Sequence, residues 1–430
     1  MEQLGQEIYF VGRPEIFHTN YMLSQCFLEV LADLAPDADE KAACLGHPVL
    51  KNFQARWQFS VYFQMRLRQV VGELESDLAD GEDVVIDERD KKEGETALMR
   101  GTQGVIAAFA RLWGPDVHLN NLLQREWRLA LQICSRYKSW LDAVLPDLPP
   151  APQDISGPPA AVDEAKSDDI LKRSLIITAD LILLERQLLS CYDTKVEPHL
   201  KAVFSDDEEV SQISSEMRLS LQHTLSFTNS LVPTLIRSVK QVLCAKCAEP
   251  LRMVRQLSTQ YRSGSNSGSR HARSSSGQVG ASVFVPQLFK SLRAVFSPGD
   301  ATDSTDPLAL AAQRLDGETK HGIIEHVVGE TVDKYAAVLF NMNQTHESLR
   351  RLKRSNAALG FASSIFGSSS GENSTNDEEA DRLKIQMQAD AQAIRADVNS
   401  VAELAGISLD LDATDNWRRL ISSAAGATEA

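Results

Sequence analysis

Cys244 and Cys247 have the spacing that most directly suggests chemistry, because a C-x-x-C pair can bind zinc or take part in thiol–disulfide exchange. A structural zinc ion needs four ligands, usually two such pairs or one pair with two histidines at a defined spacing. The other four cysteines are scattered along the chain and form no second pair. The surrounding residues have a helical pattern and lack the βαβ pattern of a thioredoxin-like site. We therefore predict two thiols buried on a helix and no metal.

His321 and His326 form a second candidate, because helical zinc motifs combine two histidines with a glutamate, and Glu325 lies between these two. Such motifs place the histidines four residues apart, on one face of the helix. Here the separation is five residues, which is about 500° of helical rotation, so the two rings diverge. We predict that this pair binds no metal.

Motifs that bind phosphate or dinucleotides do not occur: the sequence contains neither G-x-x-x-x-G-K-[ST] nor G-x-G-x-x-G. Acidic clusters such as residues 206–209 stand at helix starts, where carboxylates interact favourably with the helix dipole. We therefore predict a non-enzymatic protein without a cofactor. A cytosolic enzyme or metal-binding protein that uses the cysteine or histidine pair is the remote alternative.

The charge balance argues against nucleic acid as a partner. The chain has 430 residues, with 59 acidic and 44 basic side chains and a net charge of −15. A surface of that sign repels a phosphate backbone. The apolar fraction of 43% and the charged fraction of 24% are typical of a soluble globular protein that can bury a core.

The same sequence predicts a cytosolic protein. Its first residues have neither the basic region nor the apolar region of a signal peptide. The most apolar stretch, residues 175–184, contains Asp180 and is much shorter than the roughly 20 residues that span a bilayer. Six dispersed cysteines do not form a disulfide framework, so we predict free thiols.

Apolar residues recur at steps of three and four along most of the chain, the spacing of one face of an α-helix. Alternating runs bounded by Asn-Gly or Asp-Gly turns, the signal of strands, are nearly absent. We predict an all-α fold of elongated, serial helical bundles with short coiled-coil-like helices and disordered linkers. Asp168 and Asp169 are predicted to precede a helix as its N-cap, and Pro233 to lie in a first helical turn.

Polar, Pro-rich and Ser/Gly-rich stretches predict the domain organisation, because proline fixes φ and removes a backbone donor, while Ser/Gly segments behave as flexible linkers. The predicted organisation is a helical bundle at 1–145, a Pro-rich linker at 146–169, a second bundle at 170–262, a Ser/Gly linker at 263–279, a helical region at 280–360 that ends in a heptad-like helix, a flexible linker at 361–380 and C-terminal helices at 381–430.

Two late segments have the alternating steps of four and three that keep an apolar seam facing a partner helix. The first runs from Val328 and contains the candidate partner-facing residues Val332, Tyr335, Leu339, Met342, Leu349 and Leu352. The second contains Met387, Ala391, Ile394, Val398, Val401 and Ala405. Each covers only about three heptads, so packing within the chain's own domain is an equally good interpretation.

Four segments resemble the family of the second subunit of the conserved oligomeric Golgi complex. The first segment is residues 47–69. Its part HPVLKNFQARW (47–57) is similar to the family's H-x-x-x-x-N-F-x-x-(K/R)-W, and its part SVYFQMRLRQ (60–69) to the V-Y-F-Q-(I/M)-R that follows. Three later segments, 124–137, 347–353 and 381–388, resemble further family segments in the family's order. Trp57, Tyr62 and Phe63 could form a partner-facing patch, but we favour a bundle core.

The resemblance implies a rod-like helical subunit of a tethering complex, peripheral to the cytoplasmic face of the Golgi membrane. It implies a role in intra-Golgi retrograde vesicle transport and Golgi organisation, with the other subunits, SNAREs and Rab GTPases as partners. Chains of this family are longer at the N-terminus, so we expect this sequence to begin partway in. Another helical scaffold or adaptor of membrane trafficking is the alternative, although no repeat of 20–50 residues is evident.

Overall fold

The structure, a computed structural model, describes residues 8–85, 96–146, 164–204, 206–252, 254, 280–297, 306–358 and 372–425. Within these ranges the backbone is helical apart from short connections, and there is no strand. The nearest approach to a strand is an isolated antiparallel bridge between Val84 and Met99. The predicted all-α class is confirmed.

The helices are α1 (Pro14–Asp33), α2 (Ala38–Leu45), α3 (Pro48–Gln54), α4 (Phe59–Ala79), α5 (Arg100–Leu112), α6 (Leu123–Val144), α7 (Glu164–Cys191), α8 (Glu197–Val203), α9 (Asp207–Leu225), α10 (Phe227–Ala248), α11 (Val285–Leu288), α12 (Lys290–Phe296), α13 (Pro307–Arg314), α14 (Gly317–Ala358), α15 (Glu372–Ala405) and α16 (Asp415–Ala424). Short 3-10 turns precede α6 and α16, and a π-helical turn (Tyr192–Val196) joins α7 to α8.

The chain forms two compact units, each built from two stretches of sequence. Unit 1 contains residues 1–146 and 179–233, and unit 2 contains residues 147–178 and 234–430. In unit 1, α4 packs on α5, α5 on α6 and α6 on α9. In unit 2, α14 packs along α16, while α15 contacts α11, α12 and α16.

The pair α4 and α5 packs closely because α5 has a glycine at the contact. A Cβ atom added at Gly104 would lie 2.6 Å from Cβ of Asp77 in α4, which is closer than van der Waals contact permits. Gly72 lies in α4, like Asp77, and is exposed; a Cβ atom added there would meet nothing within 4 Å. Packing of α4 on α5 therefore requires a glycine at position 104 but not at position 72.

We expect Gly104→Ala to destabilise unit 1 by about 1–3 kcal/mol, because overpacking outweighs the better helix propensity of alanine. Gly72→Ala is the matched control and should stabilise it by about 0.5–1 kcal/mol. Denaturant unfolding followed by tryptophan fluorescence measures both, since four of the five tryptophans lie in unit 1. Equal effects of the two changes would contradict the close α4–α5 contact.

A buried carboxylate fixes the backbone that enters α5. Asp180 lies on α7 and is 1% exposed; its two oxygens accept hydrogen bonds from the backbone N–H groups of Leu98 (2.7 Å) and Met99 (2.8 Å). Charge-assisted bonds to buried donors are among the stronger hydrogen bonds in proteins. The acidic residue that interrupts the most apolar stretch of the sequence is therefore part of the core of unit 1.

Unit 2 has a similar arrangement around Asp390 on α15. One oxygen of Asp390 accepts from the backbone N–H of Ser282 and the other from its hydroxyl, both at 2.7 Å. The side-chain amide of Gln386 donates to the first oxygen at 3.0 Å, and the hydroxyl of Tyr335 on α14 to the second at 3.3 Å. Asp390 therefore joins α15 and α14 to the segment that leads into α11.

Two local predictions were wrong. Asp168 and Asp169 lie inside α7, which begins at Glu164, and are not its N-cap. The last proline of the preceding stretch is Pro159 and the next is Pro198, so no proline restricts the backbone between residues 164 and 191. Pro233 lies inside α10 and not in its first turn, because α10 begins at Phe227.

The predicted linkers 146–169, 263–279 and 361–380 lie largely outside the described residues; within them the structure has only Pro146, the start of α7 and the start of α15. The predicted domain division itself stays a prediction. Across the described ranges, no helix combines the length and the apolarity that crossing a membrane requires.

Candidate functional site

The cysteine pair lies in the interior of unit 2. Cys244 and Cys247 are both buried on α10 and both are free thiols. Burial raises the pKa of Cys244 to about 11 and that of Cys247 to about 12. Both thiols are therefore protonated at neutral pH, whereas nucleophilic attack and zinc binding use the thiolate. Their surroundings favour the interpretation as packed thiols.

The histidine pair lies at the other extreme of burial. His321 is partly exposed, with Nδ1 3.6 Å from Oε2 of Glu325, and His326 is exposed. In the described part of the chain, no group of three or more histidine, cysteine, aspartate and glutamate side chains could hold a metal ion. The structure does not bring the cysteine and histidine pairs into one such group.

The first heptad stripe follows α14 from the core of unit 2 towards solvent. Val332, Tyr335 and Leu339 are buried, with the ring of Tyr335 5.5 Å from that of Phe284. Met342 is half-buried. The side chain of Leu349 lies outside the described residues, and Leu352 is exposed. The part of the stripe up to Leu339 is therefore core, and a partner-facing role of its end stays a prediction.

The second stripe lies on α15 and is buried along its whole length. Its residues are Met387, Ala391, Ile394, Val398, Val401 and Ala405. Because α15 contacts α11, α12 and α16, this seam packs within unit 2. Heptad spacing here indicates an internal bundle contact.

The aromatic residues of the first family-like segments form a cluster in unit 1. The ring of Trp57 meets those of Tyr9, Phe17, Tyr21 and Phe53 edge-on at centroid distances of 4.8–6.2 Å. Edge-to-face pairs of this kind add to the stabilisation that burial provides. Trp57 and Tyr62 are buried and Phe63 is partly buried, so the bundle-core interpretation is confirmed for the first two.

Tyr62 and Arg66, one turn apart on α4, attach this cluster to the loop after α5. The hydroxyl of Tyr62 donates to the carbonyl oxygen of Val117 at 2.8 Å, and the guanidinium of Arg66 to that of Asp116 at 2.8 Å. Arg66 also donates to the Tyr62 hydroxyl and to Glu15 on α1. Burial raises the pKa of Tyr62 to about 12, so the hydroxyl remains a donor.

A group of histidines and one glutamate continues from this loop. Nδ1 of His118 lies 2.5 Å from Oε2 of Glu126, and Nε2 of His18 lies 3.0 Å from the carbonyl oxygen of His118. The ring centroids of His118 and His199 are 3.9 Å apart. Burial lowers the pKa of His18 and of His199, and it raises the pKa of Glu126.

This histidine group resembles the base-and-orienter pair of hydrolytic enzymes, but its burial points to a structural role. The side chains of His118 and Glu126 are 4% and 3% exposed, so a substrate does not reach them. The pair holds the loop between α5 and α6 against α6, and the contact of His18 with the carbonyl oxygen of His118 joins the same loop to α1. Sequence reasoning missed this group because His18 and His199 are far from His118 along the chain, and the eight-residue separation of His118 and Glu126 matches no local motif.

A shallow groove of about 340 Å³ lies on the outer face of α6, lined by Gln124, Trp127, Arg128, Leu131, Gln132 and Ser135. The hydroxyl of Ser135 donates to the carbonyl oxygen of Leu131 within the helix, and Trp127 donates to Ser220 on α9. The groove therefore offers an outer helix face without an activated nucleophile.

Comparison with known proteins gives one family and several relatives. The family described as COG complex component, COG2, C-terminal matches residues 55–391. The chain is 24% identical over 391 residues to conserved oligomeric Golgi complex subunit 2 of Arabidopsis thaliana, covering 91% of this chain and 47% of that protein.

Proteins with the same name from two animals are similar to the chain as well. The Homo sapiens protein is 24% identical over 376 residues, covering 82% of this chain and 47% of that protein. The Drosophila melanogaster protein is 22% identical over 408 residues, covering 91% of this chain and 50% of that protein. The chain thus spans about half the length of the curated relatives it matches. No solved structure matches it.

Proposed function

Because this chain belongs to the family of COG complex component, COG2, C-terminal, we propose that it is a subunit of the conserved oligomeric Golgi tethering complex. In this role it supports intra-Golgi retrograde vesicle transport and Golgi organisation through contacts with other proteins. The observation that carries the proposal is the family match over residues 55–391, which includes most of both units.

The described architecture is consistent with a non-enzymatic role. The two sequence-predicted chemical pairs have opposite environments, one deeply buried and one exposed, and the histidine–glutamate group of unit 1 is closed to substrates. The segments that resemble the family, 47–69, 124–137, 347–353 and 381–388, lie on α3, α4, α6, α14 and α15 and their immediate flanks. Among their residues, Tyr62 and Arg66 in α4 and Trp127 and Tyr137 in α6 are buried.

The partners follow from the proposed assembly. The other subunits of the complex are the primary partners, and SNAREs and Rab GTPases are partners of the assembled tether. The complex holds the chain at the cytoplasmic face of the Golgi membrane as a peripheral protein. The end of the α14 stripe, where Leu352 is exposed, is one contact surface of this proposal.

Affinity purification of the tagged full chain from cells is expected to recover the sister subunits of the tethering complex in near-stoichiometric amounts. A variant with Cys244→Ala and Cys247→Ala is the matched control, because a structural role of these thiols predicts unchanged recovery. Elemental analysis of the same preparations should show no stoichiometric zinc. Recovery of a different trafficking scaffold would exclude this tether, and zinc that is lost with the cysteines would reopen the question of metal chemistry.

A further inference from the structure

Helix α1 exposes an apolar stripe that unit 1 does not use. Ile16, Leu23, Phe27, Val30 and the C-cap Leu34 are between 45% and 76% exposed. Their separations of 7, 4, 3 and 4 residues place them within about 40° of one line along the helix. Single exposed apolar residues are ordinary, but a contiguous row of five large ones marks an interaction surface. We refer to these five residues as the α1 stripe.

The opposite face of α1 is occupied by the core of its own unit. Phe17, Tyr21, Leu28 and Ala32 are buried, and the rings of Phe17 and Tyr21 pack against Trp57. His18 on the same side approaches the carbonyl oxygen of His118. The buried face therefore attaches α1 to the core of unit 1, and the α1 stripe lies on the opposite, exposed face of the same helix.

The spacing of the α1 stripe is that of a coiled-coil seam. Alternating steps of four and three put these residues at heptad a and d positions, and the one a position inside the stripe that is not apolar is Asn20. The side-chain amide of Asn20 donates to the carbonyl oxygen of Ile8 at 3.2 Å, so this residue is engaged within unit 1. The partner that this surface fits is accordingly a helix with an apolar heptad seam.

The charge of the residues around the α1 stripe indicates which kind of partner helix fits it. Between residues 8 and 45 there are six acidic side chains and two basic ones. On α1, which has neither lysine nor arginine, Glu15 pairs with Arg66 and Asp33 with Lys41, whereas Glu29 is exposed. The surface keeps a net negative charge after these pairs are counted. Amphipathic helices that bind membrane surfaces carry basic residues on the polar face, so an anionic bilayer is disfavoured. A second copy of the same acidic helix would bring like charges together. A helix with basic flanking residues is complementary to this surface.

We propose that the α1 stripe docks a basic, heptad-patterned helix of another subunit, forming an intermolecular coiled coil. The proposal rests on the proposed function as a complex subunit, for which it names a contact surface. Ile16 to Leu34 supply the apolar anchors, and most of the binding energy of an interface comes from a few such anchors.

The first test compares tagged full chains purified from cells. Leu23→Glu with Phe27→Glu should reduce the recovery of at least one sister subunit about tenfold or more, because two buried anchors are lost. The matched control is Val203→Glu with Leu219→Glu, two exposed apolar residues elsewhere in unit 1, and should recover the subunits like the wild type. Both double variants should melt like the wild type, because all four residues are exposed.

Normal recovery with the α1 double variant would overturn the proposal while leaving the proposed function intact. A large fall in its melting temperature would also overturn it, because the stripe would then be part of the fold. If even the wild-type chain recovers no sister subunit, the proposed function fails, and the second test decides on the stripe alone.

The second test uses Cys26, which is exposed and lies beside Phe27. Alkylation of Cys26 in the purified full chain is followed by mass spectrometry, with and without a synthetic helical peptide of heptad leucines flanked by lysines. The peptide is expected to slow alkylation of Cys26 severalfold, and a version flanked by glutamates to have much less effect. Equal rates in all three mixtures would refute docking at the stripe, and equal protection by both peptides would refute the preference for a basic helix.

Discussion

Replacing Asp180 with alanine is expected to lower the free energy of unfolding of unit 1 by about 3–5 kcal/mol. The change removes both acceptors of the backbone N–H groups of Leu98 and Met99, and each buried donor left without a partner costs about 1–3 kcal/mol. Denaturant unfolding of the purified chain, followed by tryptophan fluorescence, measures this loss.

Two further variants separate the hydrogen bonds from the loss of a charge. Asp180→Asn keeps one oxygen acceptor and presents an N–H group to the second donor, so the loss should be intermediate. Asp193→Ala removes a carboxylate of the same chain segment that is 41% exposed and paired with Arg218, and surface pairs contribute about 0–1 kcal/mol. A loss for Asp180→Ala no greater than that for Asp193→Ala would contradict the structural role of the buried carboxylate.

Leu339→Asp should unfold unit 2 or destabilise it by several kcal/mol. Leu339 is 1% exposed, so the substitution both removes packed apolar atoms and places an unpaired carboxylate in the core. Calorimetric melting of the full chain gives the readout, and fluorescence of Trp417, the one tryptophan in the sequence of unit 2, reports where the change occurs.

The matched control is Leu352→Asp, thirteen positions later on the same helix. Leu352 is 58% exposed, and substitutions at such positions usually change stability by no more than about 0.5 kcal/mol. A Leu339→Asp chain that melts like the wild type would show that this stripe is not core. If Leu352→Asp melts normally but weakens recovery of sister subunits, the exposed end of the stripe is a contact surface.

The fold class could be predicted from sequence because helical periodicity is local. Each α-helix repeats its apolar face within a few residues, and the stripes of α14 and α15 illustrate how clearly that pattern is visible. The same pattern does not say what covers a face. Val398 and Leu352 both belong to heptad-spaced stripes, yet one is buried and the other is exposed.

The polar interior could not be predicted, because its partners are far apart along the chain. Asp180 looks like an interruption of an apolar run until the fold places it beside Leu98, 82 residues earlier. His18 and His118 are 100 residues apart. Local rules were also insufficient at Asp168, where an N-cap residue type lies within a helix that starts earlier. Tertiary packing, which no short window contains, decided these positions.

The discontinuity of unit 1 has a consequence for the order of events on the ribosome. Residues 98 and 99 emerge well before Asp180, and at a synthesis rate of roughly 5–20 residues per second the intervening 82 residues take about 4–16 seconds. During that interval water must solvate backbone groups that the finished unit buries, and the apolar faces of α4 to α6 await the helices that complete their unit. The nascent chain therefore passes through a period in which protection by chaperones is most valuable.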